Sequence, residues 1–350
     1  MISPKMASSL KLSISRSALD RKGGILIIAL WSLCLLSTFA VILGYRVRQE
    51  LVLVNRLNEK GKLRFVAEAG AKRGIMELIK EQAKTYDSLN DSWSNNINVF
   101  KDINLGDAEF TVSYDYMNKK SGSLETRYGL VDEERKININ KADAKVLERL
   151  FKIILSCEDT QAQELAASII DWRDNDSQLS IPSGSAEDPY YNSLSFPYSA
   201  KNSDIEVLDE LLLIKGIDDK IFEKIKEYVT IYGDGKVNVN TASPEALLAL
   251  GFDEEIADKI ILYRMGEDGV EGTFDDNIFT IDAEIVPKLS QAYRLSPSQI
   301  GQLTAITEQS LSVGSRNFMV RLIAKSRGKN SMALNCVVNR DGKVLYWRED

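Results

Sequence analysis

Asp20-Arg21-Lys22-Gly23-Gly24-Ile25 joins a basic leader to an apolar run, and the order of those parts decides how the chain reads. The uncharged run Ile25 to Leu43 starts directly after the glycine pair. A secretory signal places its small residues beyond the apolar core, so cleavage discards the core. Here the small residues come first, and a cut at Gly23 or Gly24 keeps the apolar helix. That helix is about 28 Å long, close to the hydrocarbon thickness of a bilayer. Lys5, Lys11, Arg16, Arg21 and Lys22 against Asp20 predict a cytoplasmic N-terminus, with the bulk of the chain across the membrane. Arg46 and Arg48 weaken that asymmetry without reversing it.

Beyond Leu43 the helical pattern persists. Val47, Leu51, Val54, Leu57, Leu63, Val66, Ala67, Gly70, Ala71, Gly74, Ile75, Leu78 and Ile79 recur mostly at spacings of three and four. One helix is expected over 24–84, about 90 Å long at the helical rise, with 24–44 in the membrane. Gly44, Gly61, Gly70 and Gly74 are expected to admit neighbouring helices closely. Strand-like text follows at Ala108 to Tyr116 and Leu124 to Val131. It returns at Asn317 to Ala324, Ser331 to Val338 and Lys343 to Trp347, with turns at Gly328-Lys329-Asn330 and Asp341-Gly342. A sheet that starts before a helical stretch and resumes after it implies an α+β fold with a helical insertion. The expected parts are a leader 1–23, the helix 24–84, a first sheet portion 85–135, an all-α insertion 136–311 and closing strands 312–350.

The insertion carries a repeat. Lys136-Ile137-Asn138-Ile139-Asn140-Lys141-Ala142 recurs as Lys236-Val237-Asn238-Val239-Asn240-Thr241-Ala242, each leading into an amphipathic helix. Asparagines there suit turns and helix caps. The same text, with Leu211 to Ile217, resembles the helix-hairpin-helix of DNA-uptake receptors, whose hairpins hold phosphate on backbone N–H groups and basic residues. These turns instead carry Glu158-Asp159, Asp218-Asp219 and Asp253-Glu254-Glu255, which repel phosphate. With a net charge of −7, no nucleic-acid partner is expected.

The chain has no histidine, which removes Ser-His-Asp and Cys-His catalysis and imidazole metal sites. Of three cysteines, Cys34 lies in the apolar run, while Cys157 and Cys336 are candidates for a disulfide whose pairing the sequence leaves open. Two acidic loops stand out. Asp171, Asp174, Asp176, Glu187 and Asp188, with Asn175 and Gln178 between them, offer the oxygen-rich set that calcium takes. Asp268, Glu271, Asp275 and Asp276 form the second candidate. A solvated acidic loop is the plainer reading of each. Paired carboxylates also serve acid–base chemistry, but no substrate platform accompanies them, so no enzyme is expected.

In their order, Lys22-Gly23-Gly24-Ile25 with Leu30-Trp31, Ala67-Glu68-Ala69-Gly70, the Asn-x-Asn pair, Asp171-Trp172-Arg173-Asp174, Gly184 to Tyr191 and Leu345-Tyr346-Trp347-Arg348-Glu349 resemble one family of type IV pilin-like proteins. It is the type II secretion minor pseudopilins of the general secretion pathway protein K family, and the likeness covers nearly the whole chain. The resemblance implies a pilin-like fold, a long helix on an antiparallel sheet, with an inserted helical domain holding calcium. It implies cleavage by prepilin peptidase after Gly23, or after Gly24 in the one-residue alternative, and methylation of the new N-terminus. Mature position five, usually glutamate in pilin-like proteins, is Ile28 or Ala29 here, which suits a subunit with no neighbour above it. The resemblance further implies an inner-membrane protein capping the pseudopilus tip and initiating it to support export of folded proteins. Its partners would be other minor pseudopilins, the peptidase, the inner-membrane assembly platform and membrane lipid. Tip subunits of a type IV pilus or DNA-uptake machine, or a membrane-anchored DNA receptor, are the alternatives.

Overall fold

The computed structural model describes residues 20–118, 120–182, 184–327 and 330–350. Most of the basic leader and the Gly328-Lys329 turn lie outside the described residues. The chain divides into two compact units, Met1–Gly61 and Lys62–Asp350. Helix α1 (Asp20–Lys80) carries the apolar run. A window of mean hydropathy 2.6 within it has the length and composition to cross a membrane.

Inside the second unit the helix buries one stripe. Leu63, Val66, Ala67, Ala71 and Leu78 are buried at helical spacing. They pack with Phe110, Val112, Phe318, Val320, Leu322, Leu334, Cys336 and Val338 in one apolar core. Gly70 is what lets the helix sit this close. A Cβ there would lie 2.0 Å from Leu322 Cδ1 and 2.9 Å from Phe110 Cδ2. Gly74 likewise meets Leu130, whereas Gly44 and Gly61 have nothing within 4 Å of that position. The close approach at Gly70 and Gly74 is therefore intramolecular. The helix ends at Lys80 rather than Lys84, because the next turn tightens to i→i+3 bonds at Glu81 and Gln82. Arg340 caps that end through the Glu81 carbonyl at 3.2 Å.

After the short helix α2 (Ile97–Phe100), strands β1 (Ile103–Leu105) and β2 (Ala108–Val112) start the sheet. Strands β3 (Tyr114–Met117) and β4 (Leu124–Arg127) form a separate hairpin, and β5 (Val131–Asp132) rejoins the main sheet. The single strand expected over Leu124 to Val131 is thus split. Gly129 lies in the break, where a Cβ would fall 2.2 Å from the Ser94 carbonyl oxygen. The chain then crosses into the helical region. There β6 (Ile137–Asn138), helices α3 (Ala144–Leu155), α4 (Asp159–Arg173), α5 (Asp188–Tyr191) and α6 (Asp219–Ile225), and β7 (Val229–Thr230) lead to β8 (Val237–Asn238). Helices α7 (Pro244–Leu250), α8 (Glu254–Arg264), α9 (Ile285–Ala292) and α10 (Pro297–Ser310) follow, ending at β9 (Leu311–Ser312). The chain re-enters the sheet through β10 (Asn317–Ser326), β11 (Ser331–Asn339) and β12 (Val344–Glu349). The sheet is antiparallel in the order β1-β2-β10-β11-β12, with β5 also on β10 through Phe318↔Asp132.

The helical region has its own core, built on Leu147, Phe151, Ile169, Trp172, Leu247, Ile260 and Phe279. The two Asn-x-Asn copies fold alike. Asn138 Oδ1 accepts from the Asn140 amide at 2.9 Å, and Asn238 Oδ1 from Asn240 at 3.0 Å. The second asparagine then clamps a distant backbone with both ends of its amide. Asn140 holds Ile205 and Asn240 holds Phe279. Asp143 and Ser243 cap the helices that follow. An arginine closes each copy on the carbonyls of its lead: Arg173 on Ile139 and Ala142, Arg264 on Val239 and Ala242. Cys157 and Cys336 are free. They belong to different cores, Cys336 buried beneath α1 and Cys157 packed against the helical core, so the candidate disulfide does not form.

Buried carboxylates join the two cores. Asp132 Oδ2 accepts from Asn238, Thr241 and Ser315, the last at 2.7 Å. Glu134 accepts from the Asn317 backbone and side chain at 3.0 and 2.7 Å. Asp87 takes the Ser315 amide at 2.8 Å and pairs with Arg340. Burial pushes Asp87 up to about 7 and Glu134 up to about 8, from ordinary values of 3.8 and 4.5.

Two outcomes are expected. G70A lowers stability by about 1–3 kcal/mol through overpacking, whereas G61A gains up to about 1 kcal/mol of helix propensity. Denaturant titration in detergent reads both. For the raised carboxylates, the folded state binds protons that the unfolded state has lost. Their stabilisation is therefore full at low pH and is lost as pH rises through about 7 and 8. The unfolding midpoint should fall as pH rises from about 4 to about 8, and E134Q should flatten the fall.

Candidate metal centre

The first acidic loop leaves α4 just after Arg173 has fixed the helix end to the repeat lead. Asp171 and Trp172, on the last turn, face inward and are buried. Both Asp171 carboxylate oxygens accept from the Ser180 amide at 3.0 and 3.2 Å, which bends the loop back. Ser185 accepts from the Ile181 amide at 3.0 Å. Lys215 holds the Gly184 and Ser185 carbonyls at 3.0 and 3.1 Å. These contacts return the chain to Glu187, immediately before α5.

Asp174, Asp176 and Glu187 converge. One carboxylate oxygen from each lies within 4.8 Å of the others. Glu187 is 2% exposed, and among the described residues neither of its oxygens has a partner; Asp174 Oδ1 is likewise buried and unpartnered. Burial and the charges of Asp171 and Asp174 push Glu187 up to about 7. Burial, with Asp176 and Asp171 nearby, also raises Asp174. Unpaired buried carboxylates are costly, and a hard divalent cation is what would satisfy three of them together. The oxygen-only donors and their separation suit calcium, whose ligands lie at about 2.3–2.6 Å from the ion. Asp171 and Asp188 stand outside this convergence. Asp171 shapes the loop, and Asp188 accepts from the Ala200 amide at 2.8 Å.

The second loop follows α8 in the same way but is satisfied from within. Asp275 Oδ2 accepts from the Glu267 and Asp268 amides at 2.8 and 2.9 Å. The Thr273 hydroxyl, donating at 2.7 Å, and those amides hold Asp275 down to about 2. Asp276 takes the Gly272 amide at 2.7 Å, and Asp268 takes that of Val270 at 2.7 Å. Glu271 is buried and paired with Arg264, whose Nε lies at 2.9 Å, and it also receives the Tyr116 hydroxyl. The Arg264 guanidinium outweighs desolvation at Glu271, leaving its carboxyl below the ordinary range. Arg127 donates to the Glu271 carbonyl at 2.6 Å. This loop is a latch onto the β3–β4 hairpin, and among the described residues its four predicted carboxylates do not converge. Sequence reasoning missed Arg264, Arg127 and Tyr116. The available signal was the aromatic–arginine pair that ends each repeat, Trp172-Arg173 and Tyr263-Arg264.

Comparison with known proteins bears on residues 123–234, which match the family model described as type II secretion system (T2SS), protein K. This stretch includes the first repeat and its acidic loop. Type II secretion system protein K of Aeromonas hydrophila is 36% identical over 105 residues, 29% of this chain and 31% of that protein. The same-named protein of Pseudomonas aeruginosa is 25% identical over 320 residues, 88% of this chain and 86% of that one. The first of these matches therefore spans under a third of its relative's length, and the second most of it. Among solved structures, the crystal structure of the GspK-GspI-GspJ complex from the enterotoxigenic Escherichia coli type 2 secretion system contains a similar fold. The match has a TM-score of 0.64 at 17% identity, covering 85% of this chain and 99% of that one. Residues 123–234 thus resemble the type II secretion system protein K family, and most of the chain shares the fold of the solved relative.

Proposed function

We propose that this chain is a non-enzymatic minor pseudopilin of a type II secretion system, anchored in the inner membrane by its N-terminal helix and placed at the pseudopilus tip. The observation that carries the reading is α1 itself. One helix holds a membrane-length apolar run and, further on, a stripe buried against an antiparallel sheet. A helix packed on an antiparallel sheet supports a pilin-like reading, with a helical region between β5 and β10 that would obstruct stacking along a filament. The chain is oriented with its N-terminus in the cytoplasm and its bulk in the periplasm. Prepilin peptidase removes the leader at Gly23 or Gly24 and the new amine is methylated. Other minor pseudopilins join it through the N-terminal helix and globular region, on the inner-membrane assembly platform, to initiate the pseudopilus. The solved relative's title, a complex with GspI and GspJ, supports partners of that class.

Calcium is the ion proposed for Asp174, Asp176 and Glu187. There it would neutralise the orphaned oxygens and tie the end of α4 to the start of α5. The DNA-receptor alternative is disfavoured by the helix starts. Asp218 and Asp253 accept from the Ile221 and Ile256 amides, each at 2.8 Å, so carboxylates occupy donors that a phosphate would need.

Two experiments test these proposals. Co-expression with an active prepilin peptidase should give a chain starting at Gly24 or Ile25 with a methylated amine, read by intact mass and N-terminal sequencing. A chain that keeps its leader would sink the pseudopilin reading. Calcium at a hundredfold over Kd should raise stability by about 2.7 kcal/mol relative to chelator. The gain should vanish in E187Q and D174N and persist in D268N. Because Glu187 sits at about 7, it must lose a proton to ligate, so calcium affinity should weaken as pH falls through that value.

A further inference from the structure

Among the described residues the β3–β4 hairpin pairs only with itself, and it borders a cavity of about 460 Å³ in the second unit. All four residues of β3, Tyr114 to Met117, line that cavity, but only Leu124 does so from β4. The edge of β3 away from β4 therefore faces it. Among the described residues this edge makes no backbone hydrogen bond. Unpaired strand edges are templates for an added strand.

The cavity also holds a cation without a partner. Of the basic groups in its lining, Lys136 is paired with Glu133, Arg264 with Glu271 and Arg321 with Glu227. Arg135 is half-buried and makes no hydrogen bond or ion pair among the described residues. Tyr228 and Glu271 in the lining, and Asp132, lie within range of its charge without bonding to it.

We propose that this cavity is a peptide-binding site, in which an extended segment of a partner adds as a strand to the free edge of β3 and places one carboxylate on Arg135. Arg135 fixes the charge of the guest. Asp115, also in the lining, disfavours a second acid beside the first. The four-residue edge sets the length at about 14 Å of extended chain. The free guanidinium accepts a C-terminal carboxylate or an acidic side chain equally well by chemistry. The site does not depend on the pseudopilin reading.

The test is fluorescence anisotropy of the full chain in detergent with labelled hexapeptides of alternating threonine and valine. One peptide ends in a free carboxylate, one is amidated with a central glutamate, and one is amidated with glutamine in that place. The expected result is saturable binding of a carboxylate-bearing peptide, at least tenfold weaker for the glutamine peptide and at least tenfold weaker for R135Q. The R135Q unfolding midpoint should be unchanged. N-methylation of alternate peptide bonds should abolish binding. Preference for the first or second peptide assigns the carboxylate to a chain end or a side chain, and either preference supports the site. No saturation up to about 1 mM peptide, corresponding to about −4.1 kcal/mol, overturns the proposal. So does equal binding of the glutamine or N-methylated peptide, or undiminished binding to R135Q.

Discussion

The architecture hangs on one buried oxygen, Asp132 Oδ2. It accepts from Asn238 and Thr241 of the second repeat and from Ser315 on the returning chain, donors 106, 109 and 183 residues away. The chain leaves the sheet at this residue and comes back beside it. Bonds to a charged acceptor contribute about 1.5–3 kcal/mol each, but burying the carboxylate costs several kcal/mol. The net gain is modest, and the geometric consequence is large. Only one placement of the second repeat satisfies all three donors and the Asp87 carbonyl that Asn238 also reaches. The carboxylate thus fixes where the helical region docks more than it stabilises either core.

That docking explains why similar repeats end in different loops. In each copy an Asx turn, a capped helix and a closing arginine make the same frame. After Arg173 the carboxylates of the loop converge, with buried oxygens that have no hydrogen-bond partner among the described residues. After Arg264 the loop turns toward the β3–β4 hairpin, and Glu271 finds both a guanidinium and a tyrosine hydroxyl. One frame therefore yields a loop whose buried carboxylates are left without partners and another whose carboxylates are neutralised against the hairpin. The fate of an acidic loop depends here on what lies opposite it.

Much of this was legible in the chain. The α1 stripe at Leu63, Val66, Ala67 and Ala71 followed from spacing, because it has one buried face and a helical period, and β10 and β11 followed from their strand-like text between turn signals. The asparagine repeat signalled turns and caps, and Asp143 and Ser243 serve as caps. What stayed hidden was long-range. Nothing local says that Gly129 must pass under the Ser94 carbonyl, which breaks a strand in two. Spacing along the first acidic loop could not separate Asp171, turned inward onto Ser180, from Asp174, turned toward Glu187. The same acidic composition in the second loop concealed an arginine latch, because the residues it engages, Tyr116 and Arg127, lie about 150 positions upstream.

The helix α1 poses the remaining physical question. Gly70 is used by its own sheet and Gly74 by Leu130 of the loop before β5, so the closeness they permit is already taken. Yet within the same segment Phe65 is 72% exposed and Met76 53%. A sheet can cover only one stripe of a cylinder, and large apolar side chains left in water on the other side carry a standing cost. The fold as a monomer gives no return for those residues. A helix that packs against other helices along its open side does, and it does so with side chains rather than glycines setting the distance. The assembly proposed for this chain thus accounts for the part of the helix that its own sheet leaves uncovered.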